Sequence, residues 1–321
     1  MLSLKKESKR CELEFKHIPV LLQETIEGLS IKEDGIYVDG TLGGAGHSSE
    51  ILKKLSIKGR LIGIDRDTEA LEASKQLLAS YSNVSFIHGN HDAMKTILAE
   101  LAIEKVDGIL LDLGVSSYQL DERNRGFSYL GENTLDMRMD RMQPLSAKNV
   151  VNEYTEEDLS RILWEYGEER FAKRIAKNIC TYRKEKEIVT TKELVSIIEK
   201  SIPKAMQKDG HPAKRTFQAI RIEVNNEIEP LMQTVADCVD CLASHGRLCI
   251  ITFHSLEDRA VKKAYEKASG KCECPKDLPY CVCGAKRLGK IINKKPIVAT
   301  EEEIISNPRA KSAKLRIFEK E

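Results

Sequence analysis

VDGTLGGAGHS, residues 38–48, is the stretch whose reading decides the fold. An apolar run ends in an acid, Asp39, and Gly40, Gly43, Gly44 and Gly46 then follow in quick succession. A loop without Cβ atoms lets a ligand approach the backbone closely. The candidates are a dinucleotide, a nucleoside triphosphate or another compound carrying adenosine.

Outward from this loop, from Gly35 to Leu113, short apolar runs alternate with helical texture. GIYVDGTL, GRLIGIDRD, VSFIHGN and VDGILLDLG lack a period of two, as expected of strands buried on both faces. HSSEILKKL, DTEALEASKQLLASY and HDAMKTILAELAI place apolar residues at helical spacing, with Thr68 and Asp92 as predicted caps. Such alternation predicts a parallel sheet covered by helices on both sides. The segment from Ser116 to Pro144 reads as an irregular, Arg-rich loop, and residues 146–202 show only helical texture. Thr155 with Asp158 and Thr190 with Glu193 resemble capping boxes. A helical subdomain is therefore expected within an α/β fold. After Pro212 come a long helix divided or kinked at Pro230, a strand in GRLCIITFHS, a helix in LEDRAVKKAYEKA, and final strands in KPIVAT and KSAKLRIFEK.

The 321 residues suit one large domain or two smaller ones, and a net charge of +1 neither demands nor excludes nucleic acid. Nine cysteines without a visible export signal predict reduced thiols and a cytoplasmic location. No run approaches the roughly 20 apolar residues of a membrane span, so no membrane partner is expected.

In a doubly wound sheet, ligands bind beyond the carboxyl ends of the strands. Asp39 with the glycine loop, Asp65, Asn90–His91 and Asp112 all fall there. Asp65 lies 19 residues after Gly46, the distance at which an acid meets ribose hydroxyls. Asp39 beside the loop would repel a pyrophosphate and attract an ammonium, which favours S-adenosylmethionine over NAD. The first turn of the helix at His47 is suited to the methionine carboxylate. No Walker pattern is present, which argues against an ATPase. A purely structural loop capped by Asp39 is the plainer alternative.

The blocks HIPVLLQE, VDGTLGGAGHS, VDGILLDLGVSS, LDMRMD, YGEERFAKRIA, HPAKRTFQAIRIEVNNE, GRLCIITFHSLEDRAVK and NPRAKSAKLR extend from His17 to Arg316. In this order they resemble the bacterial small-subunit (16S) ribosomal RNA cytosine-N4 methyltransferase family. The resemblance implies a class I, Rossmann-like methyltransferase α/β sheet with an inserted all-helical subdomain. Residues 1–140 and 212–321 would form the S-adenosylmethionine-binding domain, and 141–211 the insert. It implies methyl transfer from S-adenosylmethionine to the exocyclic N4 of a cytidine in the decoding region. It also implies small-subunit rRNA or the 30S particle as partner, with monomer and homodimer both left open. Carried over by residue, the donor contacts are Ala45, Gly46, His47, Asp65, His91, Asp112 and Gln119. Ala45 stands where some members have glycine, and His91 where they have an aromatic residue.

Cytosine N4 is a poor nucleophile because its lone pair is delocalised, so acceptors must draw its protons while the donor is held in line. Asp112 and His254 are the catalytic candidates. Phe253 is suited to stacking, Asp136 and Arg138 to lining the substrate entrance or simply pairing with each other. Lys214, Arg215, Arg221, Arg123, Arg125, Arg309, Lys311, Lys314 and Arg316 are candidate phosphate contacts, fewer than half of them expected to touch RNA. Cys272, Cys274, Cys281 and Cys283 form two C-x-C pairs that could enclose tetrahedral zinc or remain surface thiols. An NAD-dependent oxidoreductase and a non-catalytic rRNA-binding assembly factor are the competing functions.

Overall fold

The computed structural model describes residues 19–207, 210–272, 274–275, 280 and 282–321. His17 and Ile18 of the first block, and Cys281, lie outside them. Seven strands form one sheet: β1 (Ile36–Asp39), β2 (Arg60–Asp65), β3 (Val84–His88), β4 (Val106–Asp112), β5 (Leu242–Thr252), β6 (Gly289–Ile291) and β7 (Lys314–Lys320). Their order is β3-β2-β1-β4-β5-β7-β6. Strands β1 to β5 pair in parallel, while β7 runs antiparallel to both β5 and β6. This is the expected α/β sheet.

The helices are α1 (Leu22–Leu29), α2 (Gly46–Lys54), α3 (Thr68–Leu77), α4 (Met94–Glu100), α5 (Ser117–Asp121), α6 (Ala147–Glu153), α7 (Glu156–Glu165), α8 (Ala172–Tyr182), α9 (Thr191–Ser201), α10 (Lys214–Asn225), α11 (Leu231–Cys241), α12 (Ser255–Ala268) and α13 (Glu301–Ser306). One sheet face packs on α4, α11 and α12 through Met94, Val235, Val239 and Val261. The other packs on α1, α2 and α3 through Leu29, Ile51 and Leu71. Ile62, Ile109 and Leu110 are wholly buried, which explains why their strands read as unbroken apolar runs. Each such side chain contributes about 1.5–3 kcal/mol relative to exposure.

A third core joins α6 to α10 and also takes in Phe127, Leu135, Met137 and Met139. The helical unit thus draws on residues on both sides of 141–211. Arg125 links it to the sheet: 1 % exposed, it pairs with Asp67 at 2.8 Å and Glu69 at 2.8 Å. It also donates to the carbonyls of Arg138 and Met139, both at 3.0 Å.

Several local expectations are corrected. Asp67, not Thr68, caps α3, its carboxylate accepting the Glu69 amide at 3.0 Å. Asp92 sits inside a short 3-10 turn, His91–Ala93, that has no side-chain cap. Thr155 caps α7, but Asp158 bonds the Thr155 hydroxyl rather than its amide, so the box is not reciprocal. At Thr190 and Glu193 it is. The loop expected between Ser116 and Pro144 contains α5, which is closed by a Ser116–Gln119 capping box, and a 3-10 turn at Arg123–Arg125. The long helix is divided, as expected at Pro230: α10 ends at left-handed Asn226 and α11 starts after Pro230. KPIVAT is no strand. Pro296 has no amide to donate, and only Ile297 bridges to β7, at Leu315, while Gly289–Ile291 takes the β7 edge instead.

Replacing Arg125 with Met should cost about 3 kcal/mol, because Asp67 is left buried without its cation. Denaturant unfolding of the two proteins checks this. An unchanged midpoint would show that the helical unit is not fastened here.

Candidate active site

The strand order reverses between β1 and β4, and the connections there leave toward opposite faces. A cavity of about 500 Å³ opens at that point, within the range of small-molecule sites. Its walls come from the glycine loop, the ends of β2 to β5, and Phe127, Tyr129, Met139 and Phe217 of the helical unit. It therefore lies between the two parts of the fold.

The glycine loop is held by main-chain bonds from Gly40 to Leu110 and from Leu42 to Ile64, at 2.9 and 3.0 Å. Asp65 fastens its tip, one carboxylate oxygen accepting the Gly43 amide at 2.7 Å and the other the Asp67 amide at 2.8 Å. The carboxylate is thereby oriented at the cavity wall with lone pairs to spare. Ala45 has φ 55°, left-handed backbone that costs a non-glycine residue about 1–2 kcal/mol. A glycine adopts this backbone without that cost, so Ala45 holds the turn with some strain where some members have glycine. Gly46 must stay small, since a Cβ there would stand 2.2 Å from Pro19 Cγ.

Asp39 does not line the cavity. It is 2 % exposed behind the loop, bonded to Ser48 Oγ at 2.7 Å and the Thr41 amide at 3.2 Å. Burial, only partly offset by those bonds, pushes its pKa up to about 6. Its direct attraction for an ammonium is thus replaced by an indirect role, bracing the loop and acting on Asp112. Asp112 does face the cavity. Its amide donates to Thr41 Oγ1 at 2.6 Å, its Oδ2 lies 3.8 Å from His47 Nδ1, and its buried Oδ1 has no hydrogen-bond partner. Burial, then Asp39 and Glu257, push its pKa up to about 8.

His47 is buried, with Nε2 3.1 Å from the Val20 carbonyl. His91 contacts Asn90 Oδ1, and burial followed by Arg66 drives its pKa down to about 3, so it meets a ligand as neutral imidazole. Gln119 is 4 % exposed; it caps Ser116 and donates to Asp67 at 2.8 Å while still reaching the cavity wall. Ala45 is buried and lies just behind the lining.

On the opposite wall, His254 caps α12, its Nδ1 accepting from the Glu257 amide at 3.4 Å and its Nε2 lying 3.1 Å from Glu257 Oε1. Glu257 accepts the Phe253 amide at 2.7 Å. Burial alone would raise its pKa, but His254, Arg221 and the Phe253 amide outweigh that and hold it low. Arg221 is clamped by Glu227 at 2.9 and 2.8 Å. Sequence reasoning missed Glu227, Glu257, Arg66, Tyr129 and Phe217, all of which line the cavity. The only signal for the two acids was their place in the resemblance blocks, since their role depends on contacts across the fold.

Other candidates fall elsewhere. Asp136 and Arg138 close on each other through two bonds at 2.9 and 2.8 Å and do not line the cavity. Arg125 is internal. Arg316 and Lys314 pair with Asp258 at 2.6 and 3.2 Å. These are structural cations. Arg215 is exposed in the first turn of α10, beside Lys214, which lines the cavity; Arg309 also lines it and pairs with Asp121 at 2.7 Å. Phe253 lines the cavity as expected. No helix among the described residues is long and apolar enough to cross a membrane.

A model of the MraW methylase family matches residues 14–321. The chain is 58 % identical over 308 residues to the ribosomal RNA small subunit methyltransferase H of Clostridium botulinum (strain Kyoto / Type A2), covering 96 % of this chain and all of that one. It is 55 % identical over 311 residues to ribosomal RNA small subunit methyltransferase H 2 of Agathobacter rectalis, covering 96 % and 99 %. Among solved structures, an rRNA methylase from Streptococcus thermophilus aligns with TM-score 0.43 and 11 % identity over 95 % of this chain and 98 % of that one.

The raised pKa of Asp112 has a consequence for the empty protein. Unfolded, the group ionises near pH 4; folded, near pH 8. The native state therefore binds more protons in that window, and stability falls as pH rises through it. The side chain is 24 % exposed to the cavity, which tempers the cost to about 1–2 kcal/mol. Asp112→Asn should leave the melting temperature unchanged at pH 4 and raise it by about 2–6 °C at pH 8. Equal shifts at both pH values would contradict this.

Proposed function

The chain belongs to the MraW methylase family, and from that premise we propose that it transfers a methyl group from S-adenosylmethionine to the exocyclic N4 of a cytidine in the decoding region of small-subunit rRNA. The observation that carries the reading is the pairing, across one cavity, of an acid-lined loop with a wall of Phe253, Tyr129, Phe217, Lys214 and Arg221.

The donor set fits the methyl donor. Asp65 is aimed to accept a ribose diol, and the closely approached backbone of Gly43 to Gly46 leaves room for the amino-acid portion. The acids on the cavity wall, Asp65, Asp112 and Glu257, suit a cation without phosphates and disfavour a pyrophosphate, which counts against the dehydrogenase alternative. When bound, S-adenosylmethionine supplies an electrophilic methyl carbon on a sulfonium.

The residues of the chain do the rest. The Asp112 carboxyl, partly exposed at the cavity wall, is an acceptor for one N4 proton, and a nearby cation draws it into its ionised form. Drawing on that proton localises the nitrogen lone pair toward the methyl carbon. The N4–C bond forms as the S–C bond breaks, and the surplus proton on nitrogen leaves to Asp112 or water. Phe253 is placed to stack on a base withdrawn from its neighbours. His254 is held by Glu257, so it orients the β5–α12 turn that carries Phe253. Lys214, Arg215 and Arg309 at the rim are suited to phosphates, and an rRNA substrate accords with a cytoplasmic site of action.

Mass mapping of nucleosides in small-subunit rRNA, from cells with and without this chain, tests the assignment. N4-methylcytidine should depend on it, and a dependent methyl on C5 or on ribose would overturn the reading. Asp65→Ala should weaken S-adenosylmethionine binding about 10- to 100-fold by calorimetry. Arg215→Glu should weaken RNA binding about tenfold and leave donor affinity unchanged, with the reverse pattern counting against α10 as an RNA contact.

A further inference from the structure

Between α12 and β6 the chain makes an excursion that the methyl-transfer reading does not use. Its base is pinched shut by a bridge between Ser269 and Arg287 and by the Leu288 amide donating to the Ala268 carbonyl at 2.8 Å. No described residue from Lys271 to Arg287 is buried, and Tyr280 and Val282 are 73 % and 67 % exposed. Ordering a residue costs about 1–2 kcal/mol of backbone entropy. The described residues of the excursion bury nothing apolar that would offset this, which favours a cross-link of another kind.

Three cysteines meet inside it. The sulfur atoms of Cys272, Cys274 and Cys283 lie within 4.8 Å of one another, and those of Cys272 and Cys283 are 3.7 Å apart. A disulfide would require about 2.05 Å. Thiolates bound to zinc at about 2.3 Å at the corners of a tetrahedron are about 3.8 Å apart, close to the separation of Cys272 and Cys283. Main-chain amides are turned onto two of the sulfurs, Cys274 N onto Cys272 Sγ at 3.4 Å and Val282 N onto Cys274 Sγ at 3.3 Å. Such N–H groups stabilise negative sulfur and orient it, as outer-shell partners do at metal centres.

We propose that Cys272, Cys274 and Cys283 hold a single tetrahedral zinc ion that staples this loop. Cys281, which completes the second C-x-C pair, lies outside the described residues and is the fourth thiolate the sequence offers. Ligation by cysteine thiolates is that of structural rather than catalytic zinc, so the ion has no part in the methyl transfer. Its place in the fold agrees. α12 begins beside the cavity at Ser255 and runs 14 residues, so its far end lies about 20 Å away.

The test uses the full chain purified without chelator. Metal analysis by mass spectrometry should find about one equivalent of zinc. The Cys272→Ser/Cys283→Ser double variant should fall below about 0.1 equivalent, while Cys180→Ser, which alters a cysteine outside the cluster, keeps the full amount. Cobalt exchanged into the wild-type chain should give the strong thiolate charge-transfer and visible bands of a tetrahedral sulfur site, and the double variant should give neither. S-adenosylmethionine affinity should be the same in all three proteins, which establishes that the double variant is folded. Wild-type zinc below about 0.1 equivalent that added zinc does not raise would overturn the proposal. So would equal zinc in the double variant, or iron with a brown chromophore in place of zinc.

Discussion

The pairing of β1 with β4 at the middle of the sheet is the constraint on which the rest depends. Tyr37, Val38 and Asp39 lie beside Gly108, Ile109 and Leu110, and the Gly40 amide continues the ladder onto Leu110 by one more bond. Because β2 and β3 extend the sheet on one side of this pair and β5, β7 and β6 on the other, the chain leaving β1 and the chain leaving β4 part company. The crevice between them exists before any side chain is considered. Gly108 shows how tightly the pairing is set, since a Cβ there would stand 2.6 Å from the Tyr37 ring.

Parallel strands that end together also bring their terminal acids together, and the site is largely a response to that crowding. Asp65 is satisfied by two main-chain amides, and Glu257 by His254, Arg221 and the Phe253 amide. Asp39 has a hydroxyl and an amide but no cation. Asp112, facing Asp39 and Glu257, is left with an unpartnered oxygen and is displaced further upward than Asp39. The crowding thus falls on a carboxyl that opens into the cavity. Protonation of Asp112 relieves that crowding below about pH 8, and a positive ligand beside it would take over this role by drawing the carboxyl into its ionised form.

The sheet and its ligand end were legible because they depend on local signals. Buried strands show as Ile, Val and Leu runs, the glycine loop as a gap in side chains, and Asp65 by its distance from that loop. Asp39 was placed correctly at the strand end, yet its side chain turns inward to Ser48, a choice that sequence spacing does not encode. Arg125 and Arg316 read as candidate phosphate contacts; their burial follows from Asp67 and Asp258, which approach only when the chain is folded. The helical unit was legible as helices but not in extent, because Phe127 to Met139 join its core without any helical period.

That extension matters for how the cavity is assembled. Phe127, Tyr129 and Met139 belong to the stretch that leaves the sheet after β4, and Phe217 to the helix that brings the chain back. Both exits of the helical unit therefore pass through the cavity wall, and Arg125 ties the first of them to the cap of α3. Asn225 ties the second, its side chain donating to the Met137 carbonyl and accepting from the Met139 amide, both at 2.8 Å. Arg66, immediately after β2, reaches the Asn225 carbonyl at 3.0 Å. A displacement of the helical unit would have to break these contacts next to Asp65 and Asp67, so the wall carrying Tyr129 and Phe217 and the wall carrying Asp65 are mechanically one structure.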